Sequence, residues 1–313
     1  MLDKVRLFLP RGEYNVLDTS ALEYLTLRAS AKGEEQTGKL NNMCVCESCL
    51  GVQVWGSLQK YVQGDNIGAA LTPKECAAAL HDIGYRLNAD MQNAFVTGFE
   101  FGANIEVSEF VKKYLDILGD KPRTKRTRVC TEGEGETLYY STHSRQYERT
   151  IILYDKLAEC RKRGGNIPTE LQGKNLLRYE LRFNKRISKQ LGYSLNGKIL
   201  CSAQWQNAML QRWKEEFNNI EKKTEKKQMC NNGFTTAREA ANYLFAYLAQ
   251  GREVEIKNFL TKAKEDGKLN RYNMARLKKM LSDLPEVDEI PDHSRELYNE
   301  ISHLINGQFV RDF

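Results

Sequence analysis

The residues best suited to chemistry lie in four short stretches. The segment 176–183, LLRYELRF, alternates apolar and charged side chains. Alternation across a strand puts Leu177, Tyr179, Leu181 and Phe183 on one face and Arg178, Glu180 and Arg182 on the other. A carboxylate between two guanidinium groups can hold a hard divalent cation while the guanidiniums grip a phosphate. The same pattern is also an ordinary charge ladder on an exposed strand.

The segment 148–156, ERTIILYDK, reads as a second strand with Thr150, Ile152, Tyr154 and Lys156 on one face. An ammonium beside a phenol favours the phenolate, the attacking form in phosphoryl transfer, and Lys156 can also stabilise the phosphate under attack. Among 15 tyrosines, Tyr147, between Arg145 and Arg149, is the rival nucleophile. The strand 96–102 sets Glu100 between Gly98 and Gly102; small neighbours keep that face open, so Glu100 is a second candidate metal ligand. Lys121, Arg123, Lys125, Arg126 and Arg128 form a basic run, expected to be a flexible loop that contacts phosphate without reading sequence.

The elements around these residues imply an α+β fold, a mainly antiparallel sheet with helices on one face and a helical C-terminal region. LDKVRLFLP at the start reads as a strand, 30–43 as a polar loop, and 50–62 as a strand followed by a turn at Gly64-Asp65-Asn66. Pro73 opens a helix to about 91, and a second helix spans 107–119. The stretch 120–137 reads as a loop before a hairpin at 137–156. From 203 to 227, Trp205, Met209, Trp213 and Phe217 recur at helical spacing, and helices are expected at 235–249, 253–265, 271–282 and 293–306. No long-range repeat is visible. This suggests a domain at 1–200 carrying the chemistry and a helical domain at 201–313, a candidate for DNA binding.

Composition sets the class. Of 313 residues, 28% are charged and 41% hydrophobic, with a net charge of +6, as in an ordinary globular protein. No apolar run is long enough for a membrane span, and the N-terminus does not read as a signal peptide, so a cytoplasmic location is expected. Cys44, Cys46 and Cys49 form C-x-C-x-x-C without a second pair at zinc-finger spacing, which favours free thiols over a zinc site.

Taken in order, GSLQKYVQGDN at 56–66, the Glu100 strand, SRQYERTIILYDKLAE at 144–159 and LLRYELRFNKRISKQLG at 176–192 resemble the gene II/X replication initiators of filamentous phages and related plasmids. The resemblance covers roughly residues 50–195. It implies a rolling-circle initiator that nicks one strand of origin DNA, with Tyr154 forming a 5′-phosphotyrosyl link and leaving a 3′-hydroxyl, and that later rejoins the strand. It further implies Mg²⁺ or Mn²⁺ held by Glu100 and Glu180, stabilisation of phosphate charge by Lys156, Arg178 and Arg182, and a host helicase and polymerase as partners in a bacterial cell. The His-apolar-His metal triplet of many rolling-circle nucleases is absent, so Asp65 or Glu159 is a candidate to complete the metal site. The alternative is a non-catalytic DNA-binding regulator that reads DNA with a helix-turn-helix at 235–249 and 253–265. A tyrosine recombinase is disfavoured, because no Arg…His-x-x-Arg block precedes a C-terminal tyrosine.

Overall fold

The computed structural model describes residues 1–30, 33–131, 135–143, 148–222, 253–267, 270–282 and 294–310. Among them runs a ten-stranded sheet in which every adjacent pair is antiparallel. Its strands are β1 (Leu2–Pro10), β2 (Glu23–Ser30), β3 (Gly33–Leu40), β4 (Met43–Ser48), β5 (Gly51–Ser57), β6 (Phe95–Val107), β7 (Lys125–Thr131), β8 (Gly135–His143), β9 (Glu148–Asp155) and β10 (Asn175–Asn184). The helices are α1 (Leu58–Gln63), α2 (Pro73–Leu87), α3 (Val111–Asp116), α4 (Lys156–Lys162), α5 (Ile187–Leu191), α6 (Gly197–Leu200), α7 (Ala203–Asn218), α8 (Glu253–Glu265), α9 (Arg271–Ser282) and α10 (Ser294–Asn306). The α+β class expected from the sequence is the class observed.

The strand order β2-β3-β4-β5-β1-β6-β10-β9-β8-β7 consists of two copies of one topology. In each, a long first strand is followed by a four-strand meander whose last strand returns to pair with the first. β1 and β6, the two first strands, join the copies back to back. This repeat is invisible to sequence periodicity, because the returning pairs β1–β5 and β6–β10 are long-range and the two copies carry different side chains.

One face of the sheet holds the main core. Leu177, Tyr179, Leu181 and Phe183 point into it, as alternation requires. Phe99 stacks on Phe183 at 4.7 Å, and Tyr179 lies 4.4 Å from Trp213 and donates its hydroxyl to the Trp213 carbonyl at 2.9 Å. The helices α2, α3 and α7 supply the other wall. α2 starts at a capping box between Thr72 and Glu75 with Pro73 in its first turn, and α7 is capped by Ser202. α4 lies on the opposite face, where Leu157 and Cys160 pack with Leu176 and Ile67.

Several elements differ from expectation. Residues 33–40 form a strand rather than part of a loop; their polar side chains pair at the margin of the sheet, where solvent reaches them. The second helix is only Val111–Asp116, because β6 runs on to Val107. The helix after 203 stops at Asn218. The basic run is not a flexible loop: Lys125–Thr131 is the edge strand β7.

The chain divides into two compact units, residues 1–222 with 296–313, and residues 223–295. Within the first, α7 packs on the sheet and Glu300 of α10 accepts hydrogen bonds from Ser108 and Tyr114 at 2.7 and 2.6 Å. Within the second, Asn270 caps α9 by accepting from the Asn273 amide at 2.8 Å. Residues 235–249 lie outside the described residues, as do Tyr147 and Arg145.

Candidate active site

Arg178, Glu180 and Arg182 lie on the face of β10 opposite the main core. Their directly opposed neighbours on β6 and β9 share that face: Arg182 stands opposite Glu100, Arg178 opposite Asn104 and Tyr154, and Glu180 opposite Gly102. The Tyr154 hydroxyl donates to Glu180 Oε1 at 2.9 Å. Arg182 bridges the two glutamates, with Nε 3.0 Å from Glu100 and Nη2 2.7 Å from Glu180. Glu100, Tyr154 and Glu180 therefore converge on one side of one sheet.

A third carboxylate joins them. Oxygens of Asp3, Glu100 and Glu180 lie within 4.8 Å of one another. Simple alternation along β1 puts Asp3 with Val5, Leu7 and Leu9, on the core face. Between Leu2 and Val5, however, β1 spends one residue more than β6, pairing Leu2 with Phe101 and Val5 with Phe99. This bulge re-aims the side chain, as bulges beside sites commonly do. Asp3 is then buried against Arg178 Nη2 at 2.8 Å, Asn66 Nδ2 at 3.1 Å and the Ser57 hydroxyl. Asp65 and Glu159, the expected completions, are engaged elsewhere. Asp65 accepts from the amides of Ile67 and Gly68, and Glu159 binds Lys156 and Arg163.

The charges are nearly balanced but unevenly placed. Arg178 is fully enclosed; burial opposes its charge, but Glu180 and Asp3 more than restore it. Burial alone would raise Glu180, yet Arg178, Arg182 and Lys4 hold it at about 2. Glu100 moves the other way, raised by burial and by the nearby charge of Glu180. Its Oε2 is buried and accepts no hydrogen bond, although Lys4 Nζ lies 3.0 Å away. Three carboxylates whose oxygens lie this close are an all-oxygen donor set of the kind hard cations such as Mg²⁺ and Mn²⁺ take, so the residues present fit such an ion.

Lys156 is not where strand alternation puts it. β9 ends at Asp155, whose side chain caps α4 by accepting from the Ala158 amide at 2.9 Å. The chain turns there, and Lys156 Nζ donates to Asn66 Oδ1 and Glu159 Oε2, both at 2.9 Å. Tyr154 accordingly feels no phenolate-favouring ammonium. Burial and Glu180 raise its hydroxyl far above the usual value, with Arg178 opposing. Asp155 also takes up the Ala158 amide at the start of α4.

Strand pairing splits the basic run. Arg126 and Arg128 stand opposite Tyr140 and Leu138, on the core side; Arg126 donates to the Leu118 carbonyl, and Arg128 pairs with Asp116 and Glu136. Lys121 is buried against Glu216 at 3.0 Å. Lys125 and Arg123 are exposed. Lys125 shares the site face, in a row continued by Ser141, Thr150 and Arg182.

Gly102 is required by this geometry. A Cβ there would lie 2.5 Å from the Tyr179 carbonyl and 3.1 Å from Glu180 Cγ. Gly102→Ala should therefore displace Glu180 and cost about 1–3 kcal/mol, as overpacking does. Urea denaturation checks this, and an unchanged stability would show that the β6–β10 contact is softer than described.

No curated protein matches the chain. A family model that describes the N-terminal part of the replication-associated protein of the phage gene II type matches residues 39–208. The match spans β4 to the first turns of α7, taking in Glu100, Tyr154 and Glu180 and leaving Asp3 outside. Covering more than half of the chain, it places this protein in that family of replication-associated proteins, the replication initiators of the filamentous-phage gene II type.

Proposed function

We propose that this initiator nicks one strand of its origin with Tyr154 and rejoins it by the reverse reaction. The observation that carries the reading is the Tyr154 hydroxyl at 2.9 Å from Glu180, inside a cluster of three carboxylates and two arginines. Tyr154 Oη attacks the scissile phosphorus, the Oη–P bond forms and the P–O3′ bond breaks. The phenol proton passes to water, and water returns one to the departing O3′, which becomes a 3′-hydroxyl. In the resting site Glu180 holds the phenol proton by hydrogen bond but is too weak a base to take it, which keeps Tyr154 inert until a phosphate is seated.

Asp3, Glu100 and Glu180 would hold a Mg²⁺ or Mn²⁺ ion. When bound, the ion supplies Lewis-acid polarisation of the phosphate. Arg182, partly exposed, is placed to receive phosphate charge, whereas Arg178 is enclosed and positions Asp3 and Glu180. Lys156 ties α4 to Asn66, and through Asn66 to Asp3; its contribution is to hold the site in place. Of the basic run, Lys125 and Arg123 are the residues left to contact DNA. Origin DNA is the substrate, and a host helicase and polymerase would extend the released 3′ end.

The test is to incubate the protein with supercoiled plasmid bearing its own replication region, with and without Mn²⁺. Metal-dependent conversion to open circles carrying covalently bound protein is the expected result. Tight origin binding with no strand cleavage at any metal concentration would favour the regulator reading instead.

A further inference from the structure

The half of the sheet built by β1 and β3–β5 exposes a second surface on the same face as Tyr154 and Glu180. The cross-strand row next to Arg182–Glu100 runs Asn184, Gly98, Arg6, Trp55, Cys44, Lys39. Directly opposed residues share a face, so Arg6, Trp55 and Lys39 project from the side that bears the carboxylate cluster. Phe8 and Phe95, paired with each other, stand in the following row, and Phe95 is half exposed. Trp55 and Phe8 are partly exposed; Arg6 and Lys39 are exposed and make no ion pair among the described residues.

Three partly exposed aromatic rings interleaved with two exposed cations, on a sheet face that no helix of the main core covers among the described residues, is not a core pattern. Core aromatics of this protein, such as Tyr179 and Phe183, lie on the other face. Rings offer stacking to bases of any sequence, and the cations offer charge to the phosphates between them. Glycine at position 98, between the two surfaces, leaves no side chain standing between Arg6 and Asn184. Three strand spacings, about 15 Å, separate β10 from β5 across the sheet.

We infer that Arg6, Phe8, Trp55, Phe95 and Lys39 form a stacking platform for single-stranded DNA, which holds the strand that passes through the Tyr154 site. The inference rests on the nicking reading, since it assigns the neighbouring surface to the same substrate.

The protein carries its own probe. Of its three tryptophans, Trp205 and Trp213 are 5% and 0% exposed, which leaves Trp55 as the one that solvent and bases reach. Titration with oligo(dT) should quench tryptophan emission saturably, and Trp55→Phe should abolish the quench while retaining the fold by circular dichroism. Trp55→Ala should weaken oligo(dT) binding about ten- to a hundredfold. Arg6→Ala and Lys39→Ala should each lower the slope of log affinity against log salt by about 0.7. Tyr154→Phe should quench like the parent. Oligo(dT) binding without a change in emission, quenching that persists in Trp55→Phe, or equal quenching by duplex DNA would overturn the platform even if nicking proceeds. Quenching by oligo(dT) in a protein that never cleaves its origin would leave the platform standing and overturn the chemistry.

Discussion

Tyr154→Phe is expected to lose the covalent protein–DNA adduct and to slow nicking by at least about 10⁴-fold, the scale seen when a nucleophile is removed from an otherwise intact site. The change deletes one oxygen. The ring stays between β8 and β10, where Tyr154 stands opposite Thr137 and Arg178. What is lost locally is the hydrogen bond to Glu180 Oε1, worth about 1–2 kcal/mol. Glu180 keeps Arg178 and Arg182, so the carboxylate is not stranded. Folded protein that still binds origin DNA and forms no adduct is the expected outcome of gel-shift and denaturing-gel assays on one preparation. An undiminished adduct would mean that another tyrosine attacks.

Glu180→Gln should have the second-largest effect. It removes the charge at the centre of the cluster and leaves Arg178 and Arg182 facing a neutral amide. Nicking should fall about 10³-fold, in line with the loss of one preorganised electrostatic group, and excess Mg²⁺ should not restore it. Stability should fall as well, by about 3 kcal/mol at neutral pH, because Arg178 and Arg182 each lose one of their two carboxylate partners in a buried network. The sign of the pH dependence follows from the depressed Glu180 value. A carboxyl held at about 2 in the folded protein, against an ordinary 4.5, contributes stability that is present above pH 4.5 and is lost as the pH falls towards 2. The gap between parent and variant should therefore narrow across that window. Urea titrations at pH 7 and pH 3 measure it, and a gap that stays constant would show that Glu180 is not held by the two arginines.

The site was legible where local rules hold and illegible where long-range geometry overrides them. Alternation alone puts Arg178, Glu180 and Arg182 together opposite Tyr179 and Phe183, because β10 is regular along its length. Gly98 and Gly102 beside Glu100 likewise signal an open face that a backbone or ligand can approach, and at Gly102 the approaching group is the Tyr179–Glu180 backbone. Asp3 escapes the same rule because a single extra residue in β1 changes its face, and a bulge leaves no mark in an apolar-polar pattern. Its neighbours Asn66 and Ser57 are 63 and 54 residues away in sequence, so nothing local links them.

Lys156 did carry a readable signal. Asp155 before an amphipathic run is a helix N-cap, which ends the strand one residue earlier and turns Lys156 away from Tyr154. In the basic run, charge density suggests solvent. Once β7 pairs with β8, however, period two sends Arg126 and Arg128 to the side of α3 and leaves Lys125 on the site face. The fold class was legible from the order of strands and helices. The duplicated topology was not, because it exists only in the pairing of β1 with β5 and of β6 with β10.

Whether Tyr154 is the attacking residue can be read from the adduct itself. The most direct measurement traps the adduct on origin DNA with Mn²⁺, digests both components and maps the nucleotide-bearing peptide by mass spectrometry. A phosphodeoxynucleotide on Tyr154, in the peptide spanning residues 150–156, is the expected result. A nucleotide on Tyr147 or Tyr139 instead would contradict it.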